Sequence, residues 1–209
     1  MNNLIETLKN FTQEDYAEKK VNLHIHTLHS DGEGNGEQII KSAKEKGYKL
    51  ISITDHNTVE VHKQIKDNIL LTGVEFDCWF GYVFIHLLAY GIDINHPDMQ
   101  PFYAKNKNGT DHVLPRLFSF PNIAKLINAI HSAGGIAVLA HPACYWALSL
   151  ERLVKNLMKI GLDGIEVYYP YPRFRRFVKF HSAKDVIKIA EKYPELIRTG
   201  GTDFHGSEF

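Results

Sequence analysis

Histidine and carboxylate side chains recur along this chain in a pattern that suits metal binding. Twelve of the 209 residues are histidines, and histidine is the commonest metal-ligating side chain in proteins. His24 and His26 lie two residues apart in a segment of alternating polarity, and residues i and i+2 of a strand point to the same side. Both imidazoles could therefore reach one ion. Asp203 and His205 have the same spacing, but in a loop they could serve two neighbouring ions.

Further candidates fall at or near the ends of successive predicted strands. They are Asp55 with His56, then Glu75, His86, His141 and Glu166. In a β/α barrel the functional groups collect at the C-terminal ends of the strands. Nitrogen and carboxylate ligands together favour Zn, Mn or Fe(II) over Ca or Mg. A single histidine at a strand end is more often structural, and Glu166 could simply accept hydrogen bonds from backbone donors. The whole set of residues, however, predicts a polynuclear metal site.

The elements that must position these side chains alternate between strand and helix. Strands are predicted over residues 21–26, 50–54, 69–76, 82–90, 136–140, 164–169 and 197–202. Helices are predicted over 37–46, 58–68, 123–133, 150–160 and 174–193, and residues 1–20 are predicted as an N-terminal helical extension of a domain at 21–209. This alternation indicates an α/β fold with parallel strands joined by right-handed crossovers. A small β/α barrel is the favoured arrangement, and a doubly wound open sheet is the alternative.

The composition excludes several classes of protein. Apolar residues make up 44% and charged residues 23%, and 24 Lys and Arg balance 24 Asp and Glu. A net charge of zero argues against a broadly basic binder of nucleic acid or membrane surfaces. Two cysteines cannot build a disulfide framework. Because neither a signal peptide nor a membrane-spanning run is visible, we expect a cytoplasmic protein.

An ordered set of motifs resembles the PHP family, named for its polymerase and histidinol phosphatase members. The motifs are His24-Ile25-His26-Thr27 with Ser30-Asp31-Gly32, Ile53-Thr54-Asp55-His56-Asn57-Thr58, Gly73-Val74-Glu75, His86-Leu87-Leu88-Ala89-Tyr90, Ala140-His141-Pro142, Gly164-Ile165-Glu166-Val167 and Gly201-Thr202-Asp203-Phe204-His205-Gly206. They occur in the family order and cover residues 21–206. The resemblance implies a distorted seven-stranded β/α barrel that hydrolyses phosphate esters with metal ions.

The same resemblance implies two to three divalent ions, Mn, Fe or Zn, at a trinuclear site. It assigns His24, His26, Glu75 and Asp203 to the first ion, Asp31, His56 and His205 to the second, and His86 and His141, with Glu75 bridging, to the third. A hydroxide bridging the first two ions would attack phosphorus in line. Asp55 is a candidate catalytic residue that would act by orienting a ligand histidine.

The expected substrate is a small phosphorylated metabolite or nucleotide, with phosphate as a product and no membrane partner. Arg173, Arg175 and Arg176 follow Glu166 closely and could bind the substrate anion, with Arg176 as the candidate for a catalytic role, although an ordinary solvated helix start is the favoured interpretation. An exonuclease-like activity on nucleic acid ends and a non-catalytic metal-binding module are the competing functions. The zero net charge and the short connection between His86 and His141 count against long nucleic acid.

Overall fold

A seven-stranded sheet forms the centre of the protein in its computed structural model, which describes residues 2–171 and 181–207. The strands are β1 (Val21–Ile25), β2 (Leu50–Ile53), β3 (Leu70–Phe80), β4 (Val83–Tyr90), β5 (Ile136–Leu139), β6 (Gly164–Tyr168) and β7 (Ile197–Gly200). They lie side by side in sequence order. A doubly wound sheet would reverse that order part-way. The strand order therefore excludes this alternative, and the predicted α/β fold of barrel type is confirmed.

Helices follow most strands, close to their predicted positions. They are α1 (Asn2–Lys9), α2 (Gln13–Ala17), α3 (Gly36–Glu45), α4 (Glu60–Gln64), α5 (Asn108–Asp111), α6 (Val113–Arg116), α7 (Ile123–Ser132), α8 (Leu150–Met158) and α9 (Ala183–Lys192). The helix predicted over 58–68 is shortened to α4 because the Asp67 side chain accepts from the Ile69 amide and pairs with Lys44, which holds a turn there. None of the helices within residues 2–171 and 181–207 could span a lipid bilayer.

The N-terminal region forms two helices instead of one. Thr12 and Asp15 form a capping box, in which each side chain binds the other's backbone amide, and this arrangement starts a new helix. Leu8 of α1 is fully buried in a cluster that fills the interior of the sheet: Leu8, Val21, Leu23, Leu88, Tyr90, Ile136, Val138, Ala140 and Ile197. Since most of these residues come from the early parts of the parallel strands, α1 covers the end of the barrel away from the histidines.

Strand β4 runs antiparallel to both of its neighbours, whereas the other strand pairs are parallel. Only Gly81 and Tyr82 separate β3 from β4, and Gly81 has a φ of +62°. Such a short connection can form a hairpin but no crossover. The expectation of parallel strands is wrong for β4. The hairpin also extends β3 to Phe80, so Glu75 lies within that strand and does not end it.

The sheet curls until the chain beyond β7 meets β1. Phe204 forms a parallel bridge with Ile25, and its carbonyl accepts a hydrogen bond from the His26 amide at 2.8 Å. The Asn22 side chain donates to the Thr202 hydroxyl at 2.7 Å and accepts from the Thr202 amide at 3.0 Å. These bonds tie the last predicted ligand motif to the first.

Candidate metal centre

The predicted metal ligands lie together at the mouth of the barrel. Among the described residues, histidine and carboxylate atoms form groups in which the atoms lie within 4.8 Å of one another: His24, His26 and Asp203; His26, Asp31, His56 and His205; His24, Glu75 and His141; and His56, Glu75 and His86. Every residue in these groups was predicted as a ligand. The structure therefore brings the whole predicted set into one site, while metal binding by each residue stays a prediction.

Glu75 lies at the centre of the cluster and is almost completely buried. Its two oxygens lie 3.0–3.4 Å from nitrogen atoms of His24, His26, His56, His86 and His141. The hairpin explains this position, since it carries β3 far enough to place Glu75 between the ends of the parallel strands. One carboxylate in reach of five imidazoles suits a bridging ligand.

The charges of the cluster stabilise one another in the absence of metal. Burial alone would raise the pKa of Glu75, but His24, His86 and the other facing histidines hold it well below its usual range. Burial alone would lower the pKa of His26, yet the carboxylates of Asp203 and Glu75 raise it to about 9. Burial likewise opposes the shift at His141, where the side chains of Cys144 and Glu75 raise the pKa to about 10. Protons on these histidines thus compete with metal ions for the same nitrogen atoms.

Several buried atoms of the cluster fit a metal ion. His24 Nε2, His26 Nε2, Asp31 Oδ1 and His56 Nδ1 make no hydrogen bond to the described part of the chain. Buried polar atoms are normally paired, so each unpaired one needs an explanation. Imidazole nitrogen and carboxylate oxygen are the donors that Mn, Fe and Zn accept. Divalent ions at two neighbouring positions would satisfy these four atoms.

The local backbone is shaped to bring the ligands together. Asn57, His141 and Asp203 adopt positive φ angles of 54°, 24° and 51°, a conformation that costs free energy outside glycine and concentrates at functional sites. A Cβ atom on Gly201 would lie 2.4 Å from the Cβ of His24. Only glycine at this position lets the Asp203 loop approach β1.

Comparison with known proteins identifies the family. A model of the PHP domain matches residues 22–125, and the 5'-3' exoribonuclease Rnm of Salmonella typhimurium is 33% identical over 69% of this chain and 73% of that protein. The chain belongs to the PHP domain family. A phosphoribosyl 1,2-cyclic phosphate 1,2-diphosphodiesterase of Eggerthella lenta is 22% identical over 88% of this chain and 93% of that protein. An amidohydrolase structure from Chromobacterium violaceum has a TM-score of 0.71 at 20% identity, over 90% of this chain and 88% of that chain.

Family membership confirms two expectations from the sequence. The first is the PHP-type fold, and the second is the class of enzyme, a hydrolase acting on phosphate esters. Metal dependence agrees with the candidate ligand groups.

Glu166 and Asp55 hold the candidate metal ligands and the loop after β1 in place through hydrogen bonds. Glu166 is fully buried; it lies 3.1 Å from His24 Nδ1 and accepts from the His141 amide at 2.7 Å. Asp55 accepts hydrogen bonds from the Thr27 amide and hydroxyl and from the Ser30 hydroxyl. Asp55 reaches a candidate ligand histidine through Ser30, whose hydroxyl lies 3.4 Å from His26 Nδ1. Asp55 fixes the loop after β1, and a catalytic role for it stays a prediction.

The two histidines that the resemblance assigns to the third ion, His86 and His141, lie in two different ligand groups. His141 lies with His24, and His86 lies with His56, although both face the same oxygen of Glu75 at 3.3 and 3.0 Å. The rings of His86 and His141 have centroids 5.1 Å apart. His86 and His141 thus fall into different ligand groups, whereas the resemblance assigns both to one ion.

Two charged residues of the site were missed by the sequence analysis. Asp77 is fully buried, and its Oδ1 lies 3.4 Å from His56 Nδ1 and 3.2 Å from His86 Nε2. It follows Glu75 by two residues in β3, so the rule that pairs His24 with His26 would have found it. Burial raises the pKa of Asp77 to about 6.

The second missed residue is Arg116, at the end of α6. Its Nη2 lies 3.1 Å from Asp31 Oδ2, and it comes from the irregular connection between β4 and α7, where no periodicity signals its position. The candidate catalytic arginine from the sequence, Arg176, lies outside the described residues, as do Arg173 and Arg175.

Proposed function

We propose that this PHP protein hydrolyses a phosphate ester of a small phosphorylated metabolite or nucleotide at a centre of two to three divalent ions, Mn, Fe or Zn. The observation that carries the proposal is the convergence of five predicted histidine ligands on Glu75, with Asp31, Asp203 and His205 grouped beside them. Divalent ions at such a centre supply hydroxide near neutral pH and neutralise phosphoryl oxygens as charge develops. The chain's contribution is to fix the ligands and to keep the carboxylates ionised.

The geometry favours three ion positions around Glu75. His24 and His26 face Asp203 Oδ1 at 3.4 and 3.2 Å, which supports the first position. Asp31 lies between His205, at 3.2 Å, and His56, at 3.6 Å, which supports the second. The third position rests on His86 and His141, through their shared contact with Glu75 Oε1.

The positioning residues have distinct tasks in this proposal. Glu166 accepts from the imidazole of His24, which orients its Nε2 toward the other ligands and increases the basicity of the ring. Tyr169 donates to Asp203 Oδ2 at 2.9 Å, leaving Oδ1 turned toward the histidines. Asp55 holds the loop that brings Asp31 into the site.

A second candidate function is hydrolysis at the ends of short nucleic acids. A row of aromatic rings leads from the surface to the site: Phe120 on Trp79 with centroids 6.2 Å apart, Trp79 on Phe84 at 5.3 Å, and Phe84 on His86 at 5.3 Å. Phe120 is 69% exposed, and nucleobases stack on exposed aromatic rings. The relative named as an exoribonuclease supports the same candidate.

The test uses protein purified from manganese-supplemented cells. An aryl phosphate monoester, an aryl phosphate diester and a 5'-phosphorylated oligoribonucleotide are incubated with the loaded protein and with a chelated sample. We expect chelator-sensitive hydrolysis of at least one small ester. Hydrolysis of the oligonucleotide alone, weakening steeply with salt, would favour the second candidate. Bound metal without any hydrolysis would favour the non-catalytic module.

A further inference from the structure

A buried carboxylate beside the candidate ligands is not accounted for by the proposed chemistry. Asp77 is fully buried and follows Glu75 by two residues, so both side chains leave the same side of β3. The register of the hairpin places Asp77 directly opposite His86, and residues paired in this way have Cβ atoms about 4.5–5.5 Å apart. The backbone of the sheet therefore fixes the approach of Asp77 to a candidate ligand.

The two oxygens of the Asp77 carboxylate have different surroundings. Oδ2 accepts a hydrogen bond from the Asn57 side chain and lies 3.8 Å from Arg116 Nε, and the Asp77 amide donates to the same Asn57 side chain at 3.0 Å. Oδ1 faces His56 and His86 and accepts no hydrogen bond from any described residue. Asn57 and Arg116 thus hold the carboxylate with its unpaired oxygen turned toward the histidine cluster.

The distances around Oδ1 of Asp77 are those of atoms that share an ion. Oδ1 lies 3.4 Å from His56 Nδ1 and 3.2 Å from His86 Nε2. Ligand atoms bound at about 2.1 Å with bond angles of about 90–110° lie about 3.0–3.4 Å apart. Hydrogen bonds from a charged nitrogen to a carboxylate are shorter, about 2.7–2.9 Å. Both distances therefore fit shared coordination better than direct pairing.

The second nitrogen of each ring separates ligands from orienting groups. His86 Nδ1 donates to Glu75 Oε1 at 3.0 Å, which leaves Nε2 as the nitrogen available to an ion. At His24 the orienting group is Glu166, which forms a hydrogen bond with Nδ1 while Nε2 stays unpaired among the ligands. Asp77 differs from Glu166, because no N–H within the described part of the chain donates to its Oδ1.

We propose that Asp77 is a further metal ligand, and that its Oδ1 binds one divalent ion together with His56 Nδ1 and His86 Nε2. The proposal rests on the proposed function and changes the ligands of the third ion, where Asp77 and His56 take the place of His141. Glu75 Oε2 lies 3.4 Å from His56 Nδ1 and can complete the group. Carboxylate oxygen and imidazole nitrogen are donors that Mn, Fe and Zn accept.

The test compares metal binding by wild type and Asp77→Asn in the full chain. The substitution keeps the shape of the side chain and removes its charge. Asp163→Asn makes the same change in a carboxylate–histidine pair with His131, outside the metal centre, and serves as the control. The chelated proteins are titrated with Zn²⁺ against a competing indicator, the ions per chain are counted by mass spectrometry, and melting temperatures show that each variant folds.

We expect Asp77→Asn to bind one ion at least about 100-fold more weakly than wild type does, beyond the loss of about 10- to 100-fold that is typical of a residue that only orients a ligand. The remaining ions should be held as in wild type, and Asp163→Asn should keep every wild-type affinity. Affinities that are unchanged in Asp77→Asn, or weakened only within the range of an orienting residue, overturn the proposal.

A crystal structure of the zinc-loaded wild type decides the question without any variant, should Asp77→Asn fail to fold. Anomalous scattering locates the ions, and we expect one of them about 2.0–2.2 Å from Asp77 Oδ1. Zinc held by the other candidate ligands alone, with Asp77 Oδ1 accepting a hydrogen bond from a histidine, refutes the proposal.

Metal binding and hydrolysis fail separately in this design. Hydrolysis by the wild-type protein, with zinc affinities that do not change in Asp77→Asn, refutes the new ligand and leaves the proposed function standing. Binding of an ion that depends on Asp77, in a protein that hydrolyses no phosphate ester, supports the ligand and refutes the proposed function.

Discussion

Replacing Glu75 with glutamine removes one negative charge from the middle of the histidine cluster and leaves the side-chain volume almost unchanged. In the metal-free protein near pH 7, His26 and His141 keep their protons, since their pKa values are raised to about 9 and about 10. Glu75 is the carboxylate that both of them face. Removing one partner of a buried charge pair costs about 3–5 kcal/mol, so we expect Glu75→Gln to lose that much stability at pH 7.

The size of this stability difference depends on pH. A histidine whose pKa is raised on folding stabilises the native state below its ordinary pKa of 6.5, and that contribution is lost as the pH rises through its folded value. His26 and His141 lose their protons as the pH passes about 9 and about 10, and the wild-type protein must then keep Glu75 buried with fewer counter-charges. The difference between wild type and Glu75→Gln should therefore shrink between pH 7 and pH 10.

Urea denaturation of the chelated proteins at pH 7 and pH 10, followed by circular dichroism, measures both quantities. Glu151→Gln provides the control, because it makes the same chemical change in a surface pair with Lys192, and surface pairs contribute little. Equal stability of wild type and Glu75→Gln at pH 7, or a deficit that does not change with pH, would refute the electrostatic account of the cluster.

Three further predictions concern other parts of the molecule. Gly201→Ala should cost about 1–3 kcal/mol and lower the metal content measured by mass spectrometry, since the new Cβ would lie 2.4 Å from the Cβ of His24; unchanged metal content would count against close packing of this loop. Leu8→Ala should cost about 2–5 kcal/mol in denaturation experiments while metal content and hydrolysis per folded molecule stay the same, because Leu8 lies at the opposite end of the barrel; a lost metal centre would contradict that separation. Chelation should lower the melting temperature more at pH 8 than at pH 6, because metal binding requires deprotonated histidines; a larger effect at pH 6 would show that protons and metal do not compete.

The ligand set could be predicted from the sequence because strand periodicity acts locally. His24 and His26 share a side of β1 wherever that strand lies, and the same rule applied to Glu75 would have found Asp77. The antiparallel β4 was also accessible, since Gly81 and Tyr82 leave no room for a crossover. These features need no knowledge of distant contacts.

The remaining features depend on tertiary structure. Arg116 reaches Asp31 because of the path of an irregular connection, and no local pattern encodes that path. His86 and His141 fall into different ligand groups although both face the same oxygen of Glu75, and this grouping follows from how distant strands meet. The indirect role of Asp55, through Thr27 and Ser30, depends on how the loop after β1 folds back.

The most direct test of the central claim combines metal content and hydrolysis on one sample. Protein from manganese-supplemented cells is analysed by mass spectrometry and assayed with aryl phosphate esters, alongside a chelated sample and His24→Ala. The metal-centre account predicts two to three ions per chain and hydrolysis that is lost on chelation and in His24→Ala. A folded protein that holds at most one ion and hydrolyses no phosphate ester would contradict it.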